Sequence, residues 1–144
     1  MNKNPLIKQK YSTSCGIACV AMLVGKSHST VMRKAIKLFE WNPNPKFLNN
    51  NSRTYSKDLI RLLAEFGVTG KIKKFKSWND LEGKNILAVR YNENTGNWHW
   101  IVAVQKDSKL VILNPETESP LVISKGEKPD GRTYGRVKFY LKIE

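Results

Sequence analysis

The hydrophobic pattern changes period between Gly67 and Gly70, and this switch most narrows what the chain can become. Before it, apolar residues recur at helical spacing. Ile17, Val20, Ala21 and Val24 form one such run, which stops at Gly25, a residue suited to a helix C-terminus. Ser29-Thr30 opens a second over Val31 to Phe39, with apolar residues at 31, 32, 35, 36 and 39. A third begins at Thr54 or Ser56, turns Leu59, Ile60, Leu62, Leu63 and Phe66 inward, and ends at Gly67. The stretch from Trp41 to Ser52, rich in Asn and Pro, reads as a loop.

From Gly70 the period is two, and β-branched or aromatic runs alternate with turn residues. Strands are expected at Lys71 to Phe75, Asn85 to Tyr91, Trp98 to Gln105, Leu110 to Leu113 and Arg136 to Leu141, with a short helical turn near Ser77 to Leu81. Asn92 to Asn97 and Lys106 to Lys109 have the composition of hairpin connections. Helices first and antiparallel strands afterwards predict one α+β domain over residues 1–144.

Composition excludes several classes. With 40% hydrophobic and 10% aromatic residues the chain is not of the disordered type. The apolar run from Gly16 to Val24 is too short to span a bilayer, and no secretory signal is visible, so a soluble protein is expected. Lys and Arg number 25 against 12 Asp and Glu, giving a net charge of +13 and a pI near 9.9, which favours anionic partners.

Two cysteines occur, Cys15 and Cys19, four apart on one helix face. A disulfide there would strain regular helix geometry. Neither a CxxC pair nor a cluster of His is present, so no metal site and no cofactor are expected. Cys19 reads as a small buried hydrophobe. Cys15 lies where a polar loop turns into an apolar helix, and Ser12, Thr13 or Ser14 suits the cap. Free amides at a helix start favour a thiolate and should lower its pKa, which makes Cys15 a candidate nucleophile.

A nucleophilic Cys needs a base, and the chain offers His28 and His99. His28 follows the first helix too closely to be brought readily opposite its start. His99 opens the β-forming run Trp98 to Val104, and Asn114 lies 15 residues beyond, where a hairpin can bring the two together. Asn114 would then orient the imidazole, and Gln9 with the backbone N–H of Cys15 would donate to an oxyanion.

Gln9, then Cys15-Gly16, Ala18-Cys19 and Ala21-Met22 resemble the amino-terminal motif of the bacteriocin-processing leader peptidases, papain-like domains that cleave double-glycine leaders. Asn85 to Val89, His99 to Val104 and Asn114-Pro115 are similar to that family's later strands, His motif and Asp-Pro motif. The resemblance spans roughly residues 7–116 and implies a papain-like fold, helices carrying the thiol packed on a sheet carrying the His. Asn114 replaces the family's usual Asp, although Asn is the usual third residue in papain itself. No transporter domain follows, which sets the expectation against bacteriocin export, and Glu116 to Glu144 match no motif.

The expected function is a cysteine-peptidase-type hydrolase acting on peptide or protein as a monomer, with Trp98 and Trp100 at the substrate groove. The alternative is a papain-like toxin domain of bacterial competition that cleaves RNA in the cytoplasm after delivery within a larger secreted protein. Lys71, Lys73, Lys74 and Lys76 would hold phosphates, and an acidic immunity protein would be the partner. The plainer account of those lysines is a solvated edge strand. A non-enzymatic peptide-binding fold is a third reading, weakened by the intact Cys, His, Asn and Gln.

Overall fold

The computed structural model describes residues 6–124 and 126–144. Four helices come first: α1 (Cys15–Val24), α2 (His28–Phe39), α3 (Pro45–Asn51) and α4 (Ser56–Ala64). There follow β1 (Gly70–Lys74), a 3-10 turn at Trp78–Asp80, β2 (Gly83–Val89), β3 (His99–Lys106), β4 (Lys109–Leu113), β5 (Leu121–Ser124), the one-turn α5 (Gly131–Tyr134) and β6 (Phe139–Ile143). Among the described residues the strands form one antiparallel sheet in the order β1-β6-β2-β3-β4-β5.

The α+β architecture is as the period switch predicts, and three local expectations are corrected. The Asn/Pro-rich segment is not all loop, because Asn44 caps α3 by accepting from the Lys46 N–H at 2.8 Å and Pro45 takes the first helical position. Proline fits there because that N–H has no helical partner to lose. Helix α2 starts one residue before Ser29, capped by Ser27, whose hydroxyl accepts from the Thr30 N–H at 3.1 Å. The carboxyl-terminal stretch adds β5 and α5, and its last strand lies further on, at β6, between β1 and β2. β5 is only four residues long, and its run Leu121-Val122-Ile123 shows no alternation of polar and apolar residues to mark it as a strand.

Helix α1 is the centre of the core. Eight of its ten residues are buried, and it packs against α2, α4 and β3. Each large apolar side chain so buried contributes about 1.5–3 kcal/mol, more than the roughly 1 kcal/mol of a side-chain N-cap, which α1 lacks. Ser14 occupies the cap position, but its hydroxyl exchanges hydrogen bonds with the backbone of Tyr11 at 3.0 Å instead. The leading amides of α1 are therefore left without a side-chain acceptor.

The sheet is covered on both sides. Ile86, Ala88, Trp100, Val102 and Leu141 face the helices, while Leu87, Val89, Ile101, Ala103 and Ile112 pack with Leu81 and Tyr134 opposite. Central strands buried on both faces read as continuous apolar runs, as β2 and β3 do. Among the described residues no single helix is long and apolar enough to cross a membrane; α1 and α2 would suffice together but are bent by 115°.

Candidate active site

The loop that presents Cys15 is clamped from two sides. Ser12 donates its N–H to Asn49 Oδ1 at 3.0 Å and its hydroxyl to the Asn49 carbonyl at 2.7 Å. Thr13 Oγ1 accepts from the Ser52 N–H at 3.0 Å and lies 2.9 Å from the Ser52 hydroxyl. Helix α3, unforeseen in the sequence, thus fixes the turn before the thiol. The Gln9 N–H donates to the Pro115 carbonyl at 3.0 Å, tying the same segment to the loop that carries Asn114.

His99 is the first residue of β3 and Asn114 follows the last of β4, so the β3–β4 hairpin brings them together as expected. Nε2 of His99 lies 2.8 Å from Asn114 Oδ1, and that oxygen also accepts from the Glu116 N–H at 3.0 Å. An oxygen that accepts twice leaves the amide nitrogen turned away, so Nε2 carries the imidazole proton and Nδ1 is the free base nitrogen. Cys15 and His99 line one cleft of about 420 Å³, with Arg53, Tyr55, Trp98 and Glu116 among its other walls.

Electrostatics in the cleft correct one expectation. Burial pushes the Cys15 thiol up rather than down; the backbone amides of Trp100 and Gly16 oppose this, Glu116 adds to it and Arg53 opposes it. The helix start is present, but desolvation of the thiolate outweighs it. His99 is pushed down, first by burial and also by Arg90, against its hydrogen bond to Asn114 and the carboxylate of Glu116. Both shifts favour the neutral thiol and neutral imidazole at rest.

A family model for the peptidase C39 family matches residues 3–127. The chain belongs to that family. It is a papain-like cysteine peptidase family, and solved structures give the same fold. The peptidase domain of Streptococcus ComA, a bi-functional ABC transporter involved in a quorum-sensing pathway, shares 16% identity with 98% of each chain covered and a TM-score of 0.65. A double glycine motif protease from an AMS/PCAT transporter, in complex with its leader peptide, gives 0.59 at 16% identity, covering 98% of this chain and 91% of that one. The peptidase domain of Streptococcus mutans ComA gives 0.57 at 16% identity over 97% and 98%. No curated protein matches the chain.

Within this C39 chain the other singled-out residues fall differently. The Gln9 side chain is not in the cleft wall: Nε2 donates to the carbonyls of Tyr11 at 3.1 Å and Ser12 at 3.0 Å, and its Oε1 is buried without a partner. An oxyanion role requires Nε2 to exchange one of those carbonyls for the substrate's oxygen. Trp98 is half-buried at the cleft, stacked with Tyr91 and edge-on to Tyr55. Trp100 also lines the cleft, where its backbone amide reaches Cys15, but its side chain is only 2% exposed and donates the indole N–H to the Thr54 carbonyl at 3.0 Å.

Lys71, Lys73 and Lys74 lie exposed on the edge strand β1, separated from β3 by β6 and β2, and Lys76 follows it. None lines the cleft, and the RNA-cleaving alternative gains no support. His28, set aside as too close in sequence, does reach the start of α1, with Nε2 3.2 Å from the Ser14 hydroxyl. It is not among the cleft residues. Sequence reasoning missed Arg90 and Glu116, although the turn at Lys106 to Lys109 held the signal for Glu116. The hairpin pairs end at Val102 with Leu113, and counting the same register three steps further towards the open end matches His99 with Glu116, whose Oε1 lies 3.6 Å from His99 Nε2. Among the described residues no three His, Cys, Asp or Glu side chains gather to hold a metal ion.

Proposed function

We propose that this chain hydrolyses a peptide bond with Cys15 as nucleophile, His99 as base and then acid, Asn114 as the residue that orients His99, and the Cys15 N–H with Gln9 as oxyanion donors. The observation that carries the reading is the 2.8 Å bond between His99 Nε2 and Asn114 Oδ1 in the wall of the cleft that Cys15 also lines. Membership of a cysteine peptidase family supports the same chemistry.

The reaction runs as two acyl transfers. His99 Nδ1 takes the thiol proton as Sγ attacks the scissile carbonyl carbon, and the C=O electron pair moves onto oxygen. The leading amides of α1, left uncapped by Ser14, offer donors to that oxyanion. Collapse expels the amine, which takes the proton from Nδ1, and leaves a thioester on Cys15. Water attacks the thioester, giving a proton to Nδ1; the electron pair returning from oxygen breaks the C–S bond, and the departing sulfur takes the proton back from Nδ1 as the carboxylic acid is released.

For substrate, we propose a leader peptide ending in two glycines, as suggested by the structural relative solved with its leader peptide. Small residues beside the scissile bond suit a half-buried thiol, since the peptide backbone must approach it closely.

The test is incubation of the protein with synthetic peptides carrying a Gly-Gly site, beside copies with both glycines replaced by leucine. Cleavage after Gly-Gly, lost by roughly 10³-fold or more in Cys15→Ala and His99→Ala, is the expected result. Cleavage that survives in Cys15→Ala would overturn the thiol mechanism, and equal cleavage of the leucine peptides would overturn the leader assignment.

A further inference from the structure

Asn114 orients His99 but brings no charge to it. We infer that Glu116 and Arg90 form a positioning pair for His99, in which Glu116 supplies the negative charge that Asn114 lacks and Arg90 sets where that charge sits. The inference rests on the reading of His99 as the base.

The geometry divides two jobs between two partners. Asn114 Oδ1 takes the Nε2 proton at 2.8 Å, whereas Glu116 Oε1 stands at 3.6 Å from the same nitrogen, too far for a good hydrogen bond but close for a charge. Arg90 Nη2 lies 3.0 Å from Oε1 and 3.2 Å from Oε2 of Glu116, so one nitrogen spans both carboxylate oxygens and competes with the ring for them. Through its backbone N–H, Glu116 also holds Asn114 Oδ1 at 3.0 Å. One residue thus fixes the amide that orients His99 and places a carboxylate beside it.

Arg90 itself is held in an uncommon conformation. It directly follows β2, has a left-handed backbone with φ of 52°, and donates its N–H to the Tyr134 carbonyl at 2.8 Å. A left-handed non-glycine residue persists where surrounding contacts over-determine it, and such residues cluster at functional sites. Arg90 and Glu116 both line the cleft, and their side chains are about as exposed as each other, 37% and 41%, against 6% for His99. The pair therefore lies between a buried imidazole and solvent, where a charge acts with partial screening.

The charged and titratable groups that line the cleft with His99 are Cys15 from α1, Arg53 and Tyr55 from the segment before α4, Arg90 after β2 and Glu116 after β4. Glu116 favours the imidazolium and disfavours the thiolate, while Arg90 disfavours the imidazolium. Removing one or the other should move His99 in opposite directions. A pair that merely packed the loop would let both variants loosen the site in the same direction.

The experiment is an NMR titration of the His99 ring protons in the unaltered protein, Glu116→Gln and Arg90→Gln, with assignment helped by the chain having two histidines. The His99 midpoint is expected to fall in Glu116→Gln and to rise in Arg90→Gln. Iodoacetamide alkylation of Cys15 in Glu116→Gln is expected to begin at lower pH. On a peptide that the protein cleaves, Glu116→Gln should lower plateau kcat/KM by about three- to tenfold, a part of the 10²–10⁴ that a general base supplies. An unmoved midpoint in Glu116→Gln, or movement of both variants in one direction, overturns the inference. Absence of peptide cleavage by the unaltered protein would count against the proposed function alone, since the titration reads His99 without turnover.

Discussion

Asn114 Oδ1 holds His99 Nε2 at 2.8 Å, and this single contact selects Nδ1 as the nitrogen left to take a proton. Both groups are buried, so losing the acceptor leaves the imidazole N–H with only Glu116 Oε1 nearby, at 3.6 Å, too far for a good hydrogen bond. Asn114→Ala should lower kcat/KM by about 5- to 150-fold, the range that corresponds to about 1–3 kcal/mol for an unsatisfied buried donor. Asn114→Asp keeps the acceptor and adds a negative charge, which raises the imidazole pKa. Activity that needs neutral His99 appears above that pKa, so the acid limb of the Asp variant should move to higher pH. A pH–rate profile of Asn114→Asp that coincides with that of the unaltered protein would exclude His99 as the titrating base.

The two cysteines should separate cleanly by reactivity. Cys15 is half-buried at the cleft, whereas Cys19 is fully buried and pushed up well above the ordinary thiol range by burial, with Cys15 adding to it. Iodoacetamide followed by mass spectrometry is expected to modify Cys15 in the native protein and Cys19 only after denaturation. Because burial raises the Cys15 pKa, its labelling rate should still be climbing above pH 9, the ordinary thiol value. A rate already flat by neutral pH would mean that the resting state is a thiolate.

How much of this was legible in the sequence follows from how local each signal is. Helix α1, strand β3 and the pairing of His99 with Asn114 were readable because apolar period and turn residues act over a few positions. The clamp of α3 on Ser12 and Thr13 was not, since it joins segments more than 30 residues apart and depends on Asn-Pro being read as a helix start rather than a break. The thiol's direction of shift was misread because a helix start is visible in sequence and desolvation by distant strands is not. Likewise the placement of β6 beside β2 comes from sheet order, which no motif between Glu116 and Glu144 encodes.

Gly16 is where the nucleophile's helix meets the core without room to spare. A Cβ there would stand 2.1 Å from Thr54 Oγ1 and 3.1 Å from both Leu59 Cδ2 and Trp100 Cδ1. Thr54 is buried and its side chain is short, so it has little freedom to give way. Gly16→Ala should therefore destabilise the fold by about 1–3 kcal/mol, an overpacking effect that exceeds the better helix propensity of Ala. Chemical denaturation is the check, and a Gly16→Ala protein as stable as the original would show that α1 can shift away from Thr54. The double variant Gly16→Ala with Thr54→Ala or Thr54→Ser separates the two contacts: Ala should recover part of the loss, whereas Ser keeps the offending oxygen and should not.

His28 makes a second, non-catalytic prediction about pH. Burial first, and then the charge of Lys10, lower its pKa from 6.5 to about 4; its Nε2 meets Ser14, while Nδ1 is buried with no partner. Below pH 6.5 the unfolded chain takes up a proton that the folded chain resists, so the folded state loses stability as pH falls from 6.5 towards 4. Above 6.5 this contribution is complete. Allowing for the half-exposed ring, it amounts to about 1–2 kcal/mol across that window. Urea unfolding at pH 7 and pH 4.5 should show a larger drop for the unaltered protein than for His28→Gln, which still has an amide to meet Ser14. His99 is lowered as well and titrates in both proteins, so the difference between the two drops isolates His28. Equal drops would mean that His28 is protonated in the fold without penalty, and that the acid sensitivity belongs to His99.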